Sequence, residues 1–316
     1  MAFALNARES NVDLAGIRLA HPILNGSGTF DAIAALRAFG DPLRERFPFA
    51  AFVSKTITLA ARDGNPPPRL WETPAGMINS IGLPNKGLTG FLERDLPILA
   101  ALPVPLIVSV AGFGHEEFAR LVSAVAARPE VAALELNVSC PNVESGCVMG
   151  SDPAETAALM GVVRPLGDKP LIVKLTPNVS DVGAVAEAAE REGADALSLI
   201  NTLSGIGFEP VSGRPFLGAG KGGLSGPAVR PVALAMTHDV AERVRIPLIG
   251  MGGIECGQDA LDFIAAGARC VAVGTENFRD PAAAIRIRHE LGELLARRDI
   301  ATSRDDGEAA LRGVAK

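Results

Sequence analysis

Eight short apolar runs, each followed by a polar or glycine-rich turn and a stretch of helical periodicity, predict an α/β protein, a (β/α)8 barrel. Three observations carry this. Most runs are apolar throughout rather than alternating, as strands covered on both faces must be. Several intervening stretches have the 3.6-residue period of amphipathic helices. Polar, small and cationic residues collect after the runs, at the end of a barrel where active sites are built. A doubly wound open sheet is the alternative arrangement of the same elements.

In chain order, Val12–Leu14 and Ile17–Leu19 flank Ala15-Gly16 and are expected to form a β-hairpin closing the barrel floor. The expected barrel strands are Pro22–Asn25, Ala51–Lys55, Leu106–Val110, Ala133–Asn137, Leu171–Leu175, Ala196–Ile200, Pro247–Gly250 and Cys270–Gly274. The clearest helices are Phe118–Ala127, Val182–Arg191, Arg230–Arg243 and Gln258–Ala266. Ser180 or Asp181 suits an N-cap, and Gly193 and Gly267 sit where helices end. Two long connections, Thr56–Pro103 and Asn201–Val229, interrupt the rhythm, and connections of that length usually serve function. No linker divides the chain, so residues 1–316 read as one barrel domain with a flexible tail after about residue 300.

Composition excludes several classes. The 316 residues carry 30 Lys and Arg against 36 Asp and Glu, a net charge of −6, which disfavours binding nucleic acid. Residues 1–11 lack a basic segment leading into an apolar core, so no signal peptide is expected. Leu96–Gly114 is uncharged, but Pro97, Pro103 and Pro105 break it, so no membrane span is expected and the location reads as cytoplasmic. The four cysteines, Cys140, Cys147, Cys256 and Cys270, form no C-x-x-C pair. That fits a reduced protein unsuited to holding an iron–sulfur cluster by itself. No histidine spacing suggests a metal site.

The residues after each run define the chemistry. Gly252-Gly253 and Gly274-Thr275 follow the last two runs, where barrels often bind phosphate on bare backbone; tight turning alone also favours glycine there. Lys55 and Lys174 both end apolar runs, where a lone cation is costly, so an anionic ligand or electron-rich ring is expected beside them. Cys140 lies in a polar loop after Asn137 and can serve as nucleophile or base. Asn25, Asn79, Asn137 and Asn201 suit recognition of a ring bearing C=O and N–H groups, although each alone also fits ordinary turn chemistry.

Four stretches then go together: Asn79-Ser80-Ile81-Gly82-Leu83-Pro84-Asn85, Asn137-Val138-Ser139-Cys140-Pro141-Asn142-Val143, Lys174-Leu175-Thr176-Pro177-Asn178 and Gly223-Leu224-Ser225-Gly226-Pro227. This ordered set resembles the class 1 dihydroorotate dehydrogenases, from about Val12 to Asp280, and is most similar to subclass 1B. The resemblance implies a barrel that binds FMN and oxidises dihydroorotate to orotate in pyrimidine synthesis. It implies Cys140 as the base, with Lys55, Asn79, Ser80, Ile81, Gly82, Leu83, Asn137, Asn142, Asn201 and Thr202 around the substrate. Ser27, Lys55, Thr56, Ser109, Asn137, Lys174 and Ile200 are implied beside the flavin ring, and Gly226, Gly252, Gly253, Gly274 and Thr275 at its ribityl and phosphate groups. The family commonly has Asn where this chain has Ser109, and the shorter side chain is expected to leave that flavin contact to water. A homodimer is implied, associated with a second subunit that carries FAD and a [2Fe–2S] cluster and reduces NAD+. A fumarate-linked class 1A enzyme, a dihydropyrimidine dehydrogenase-like flavin barrel and a non-catalytic barrel for a phosphorylated ligand are the alternatives.

Overall fold

The computed structural model describes residues 11–139 and 149–297. Cys140, Cys147, Asn142 and the tail after about residue 300 lie outside the described residues. Antiparallel strands β1 (Val12–Leu14) and β2 (Ile17–Leu19) form the first hairpin, with Val12 opposite Leu19. The barrel strands are β3 (Ile23–Asn25), β4 (Phe52–Val53), β7 (Leu106–Val110), β8 (Val131–Asn137), β9 (Leu171–Lys174), β10 (Ala196–Leu199), β13 (Leu248–Met251) and β14 (Cys270–Val273). They pair in parallel in the order β3-β14-β13-β10-β9-β8-β7-β4. All eight expected runs are strands of this sheet.

The last seam, between β3 and β4, closes in an unusual way. The Ala50 N–H donates to the Ile23 carbonyl at 2.9 Å. Above that, the Asn25 side chain replaces backbone pairing. Its Oδ1 accepts from the Val53 N–H at 2.9 Å and its Nδ2 donates to the Val53 carbonyl at 2.8 Å. Asn25 therefore does not recognise a ligand as expected, because its amide is consumed in joining the barrel.

The hairpin closes the floor as expected. Val12, Leu14 and Leu19 are buried against Ile107, Ala133, Ile172, Ala196, Ile249 and Cys270 from six barrel strands. Full burial of such side chains is worth about 1.5–3 kcal/mol each. Around the barrel, the helices Val182–Arg191 and Arg230–Arg243 match expectation, and His115–Ala126 and Gly257–Ala265 match within a few residues. Asp181 is the N-cap, accepting from the Ala184 N–H at 3.0 Å. Gly193 and Gly267 follow helix ends at φ +91° and +110°, backbone that favours glycine. Pro153–Val163 escapes the periodicity because alanines and valines surround it, but Asp152 caps it and proline opens it. Residues 283–297 are also helical. Among the described residues, no helix is long and apolar enough to cross a membrane.

The two long connections meet. The first holds β5 (Leu70–Thr73) and β6 (Gly76–Asn79), the second β11 (Leu203–Gly205) and β12 (Gly222–Ser225). They form one antiparallel sheet in the order β11-β12-β6-β5, beside the C-terminal mouth of the barrel.

Candidate active site

A cleft of about 350 Å³ opens between that small sheet and the C-terminal ends of the barrel strands. Its size suits a cofactor-sized ligand. The walls collect Ser27, Lys55, Thr56, Asn79, Ile81, Gly82, Leu83, Asn137, Lys174, Ile200, Asn201, Thr202, Gly226, Gly252, Gly253, Gly274 and Thr275. Most of the residues singled out from the sequence thus converge on one place.

Two cations stand at one end. Lys174, at the end of β9, is 6% exposed and donates from Nζ to the Ser27 hydroxyl at 3.0 Å. Lys55 crosses Gly28, where a Cβ would lie 2.9 Å from the Lys55 Cδ, so glycine leaves that side chain its path. Burial pushes the Lys55 pKa below the ordinary lysine value, and the Lys174 charge lowers it further. Neither lysine has a carboxylate within 4.0 Å among the described residues. A buried and a half-buried cation without a counter-charge are a site for an anion.

The asparagines are oriented by one another. Asn201 donates from Nδ2 to the Ser139 hydroxyl at 2.7 Å and to the Asn137 Oδ1 at 3.2 Å. Its own Oδ1 accepts from the Thr202 N–H at 2.8 Å. With its oxygen so engaged, Asn137 keeps its amide hydrogens for a ligand. Asn79 donates to the Gly223 carbonyl at 3.2 Å, which leaves its oxygen as an acceptor. The set therefore offers both a donor and an acceptor to a polar ring.

Bare backbone forms another part of the wall. Gly226, Gly252 and Gly253 have φ of +93°, +132° and +75°. A Cβ on Gly253 would lie 2.7 Å from the Gly226 carbonyl oxygen, and one on Gly226 would lie 2.7 Å from the Gly76 Cα. These turns touch, and only glycine fits. The Thr275 and Ser225 hydroxyls meet at 2.9 Å beside them. A cradle of backbone and hydroxyls suits a phosphate, so the donor set as a whole fits a phosphorylated, electron-accepting ring such as a flavin.

Two expected wall residues stand elsewhere. Ser80 turns away from the cleft and accepts from the Asn65 amide at 2.7 Å, because its neighbours Asn79 and Ile81 take the cleft-facing positions of an extended segment. Ser109 is fully buried beneath Thr56, bonded to its hydroxyl at 3.0 Å and to Glu135 at 3.0 Å, rather than leaving a gap for water at the wall. Sequence reasoning also missed the apolar lining of Leu70, Met77, Leu224, Met251 and Phe278. Leu70 and Met77 belong to a sheet with no strong strand signal. Gly26, Gly28 and Thr29, the turn around Ser27, line the cleft as well.

The chain matches the protein-family model described as dihydroorotate dehydrogenase over residues 10–295. It is 48% identical over 293 residues to the "Dihydroorotate dehydrogenase B (NAD(+)), catalytic subunit" of Desulforudis audaxviator, covering 92% of this chain and 93% of that one. It is 45% identical to the protein of the same description from Trichlorobacter lovleyi, over 92% of this chain and 95% of the other. For the Pelobacter propionicus protein of that description the identity is also 45%, over 94% and 97%.

Proposed function

The chain belongs to the dihydroorotate dehydrogenase family, and on that premise we propose that it is the catalytic subunit of an NAD+-linked B-type enzyme, with FMN as its flavin. The observation that carries this is the cleft: a buried and a half-buried lysine without carboxylate partners, a mutually oriented amide set, and a glycine-lined cradle. One cradle suits FMN, and no second nucleotide-binding fingerprint accompanies it.

When bound, the flavin supplies a two-electron acceptor for the hydride leaving C6 of dihydroorotate. Cys140 takes the C5 proton on its thiolate sulfur, so that the C5–C6 double bond of orotate forms. Ser139, immediately before it in sequence, accepts from Asn201 and so belongs to the amide set. Lys55, Asn79, Asn137, Asn142, Asn201 and Thr202 hold the ring and its carboxylate, with Ile81, Gly82 and Leu83 closing over them. Ser80 holds that strap through Asn65. Lys174, which donates to Ser27, would offset negative charge on a bound flavin ring. Ile200 and Thr56 support the ring. Gly226, Gly252, Gly253, Gly274 and Thr275 would hold the ribityl and phosphate groups.

Electrons bound for NAD+ need a relay, and four cysteines without C-x-x-C spacing do not furnish one. A partner subunit carrying FAD and an iron–sulfur cluster answers that need. Leu70 and Phe278, 50% and 57% exposed at the cleft mouth, offer it an apolar landing. Extraction of the purified chain tests the assignment: FMN is expected, with flavin reduction by dihydroorotate but slow NAD+ reduction. FAD, no flavin after riboflavin-supplemented expression, or efficient NAD+ turnover by the isolated chain would contradict it.

A further inference from the structure

The barrel interior holds one carboxylate that the reaction above does not use. Glu135, on β8, is 2% exposed. Its Oε1 accepts from the Ser109 hydroxyl on β7 and its Oε2 from the Ser198 hydroxyl on β10, both at 3.0 Å. Both serines are fully buried. Because β9 lies between β8 and β10, the carboxylate reaches across the inner face of β9. There Glu135 pairs in register with Ile172, one pleat below Lys174, which itself pairs with Asn137 and Ser198. No Lys or Arg nitrogen lies within 4.0 Å of it among the described residues.

The hydroxyls above it have a fixed direction. Ser109 gives its hydrogen to Glu135, so in its 3.0 Å contact with Thr56 it must accept. Thr56 therefore points its hydrogen down and presents lone pairs to the cleft that it lines. A negative charge deep in the barrel is thereby joined, through two hydroxyl dipoles, to the cleft floor. In a dry interior such a charge is weakly screened.

We propose that Glu135 is a charge-positioning residue: through its field and the Ser109–Thr56 chain, it lowers the reduction potential of the flavin bound above it. A flavin gains negative charge on reduction. Lys55 and Lys174 favour that gain, and Glu135 opposes it, so electrons do not rest on the flavin but leave for the next acceptor. The inference rests on the flavin assignment of the cleft.

The test is the midpoint potential of the bound flavin, read spectroscopically against a reference dye. Glu135→Gln keeps the shape and its hydrogen-bonding capacity and removes the charge. It is expected to shift the equilibrium toward reduced flavin by at least tenfold, which for a two-electron couple is about 30 mV upward. Ser198→Ala keeps the charge with one donor left and is expected to stay within about threefold of the parent. Should Glu135→Gln fold poorly, Glu135→Leu combined with Ser109→Ala and Ser198→Ala removes the charge together with the hydroxyls it holds and is expected to raise the potential as well. An unchanged potential in Glu135→Gln, or an equal shift in Ser198→Ala, overturns the proposal while leaving the flavin assignment intact. A parent protein that binds no flavin overturns both.

Discussion

At the scale of single residues, the proposed mechanism rests on Cys140 as the base. A free thiol titrates near about 8.5, so part of it is thiolate at neutral pH, whereas a serine alkoxide is essentially absent. Cys140→Ser is expected to retain FMN and orotate but to slow flavin reduction by dihydroorotate by roughly 10²–10⁴-fold, as loss of a positioned base does. Stopped-flow absorbance across pH reads this: the mutant recovers part of its rate in alkali, while the parent reaches a plateau. A parental rate in the mutant would make Cys140 structural. The phosphate cradle needs a more careful choice of residue. At Gly253 any side chain collides with the Gly226 backbone, so its loss would report strain. At Gly274 the nearest neighbour of a Cβ is the Thr29 Cγ2 at 3.8 Å, and φ is not positive. Gly274→Asp is therefore expected to fold normally, with its melting temperature kept, yet to purify largely without flavin, because it sets a carboxylate beside the phosphate. Lys55 adds a pH signature. Its lowered pKa means that it loses its charge below the ordinary lysine range, so orotate binding should weaken as pH rises toward that range.

At the scale of elements, the barrel strands were legible because burial on both faces leaves an uninterrupted apolar run, as in Ile107 and Val108 of β7. The sheet beside the mouth was not. Its β6–β12 pairing brings together residues such as Asn79 and Gly223, 144 positions apart, and its half-exposed strands show no apolar run. The seam was equally hidden, since an asparagine ending a strand looks the same whether it binds a ligand or, like Asn25, its own backbone. Asn25→Ala strands the buried Val53 N–H and carbonyl, at about 1–3 kcal/mol each, and is expected to lower stability in denaturant titration by about 2–5 kcal/mol. Loss of under 1 kcal/mol would show the seam to be redundant. The strand entry beneath the barrel titrates as well. His21, whose Nδ1 accepts from the Ile23 N–H at 3.3 Å, has its pKa lowered from 6.5 to about 4, chiefly by burial and then by Arg288. The unfolded chain then binds a proton that the native chain refuses. Stability is complete above about pH 6.5 and falls by about 3 kcal/mol as pH drops toward 4. His21→Gln is expected to flatten that slope in unfolding measured across this range.

At the scale of the whole molecule, charge and electron flow connect the parts. In the proposed mechanism, electrons enter from dihydroorotate, pass a cleft lined by Lys55 and Lys174, and leave past Leu70 and Phe278, which are exposed at its mouth. Phe278→Glu is expected to slow NAD+ reduction in the complete enzyme by tenfold or more, and flavin reduction by dihydroorotate much less; equal slowing would place Phe278 in binding rather than in docking. Much of the site was readable before the fold, because lysines and asparagines that end apolar runs have few reasons to be there. What was not readable was the direction in which each side chain turns: Ser80 toward Asn65, Ser109 down to Glu135. Oxidation of dihydroorotate in this cleft on a bound flavin can be measured directly. Under anaerobic conditions the purified chain is mixed with one equivalent of dihydroorotate, and the flavin absorbance and the orotate formed are followed together. The account predicts bleaching of the flavin with one orotate formed per flavin reduced, and none with dihydrouracil, which lacks the carboxylate for Lys55. A flavin that stays oxidised with dihydroorotate, or bleaches equally with dihydrouracil, would contradict it.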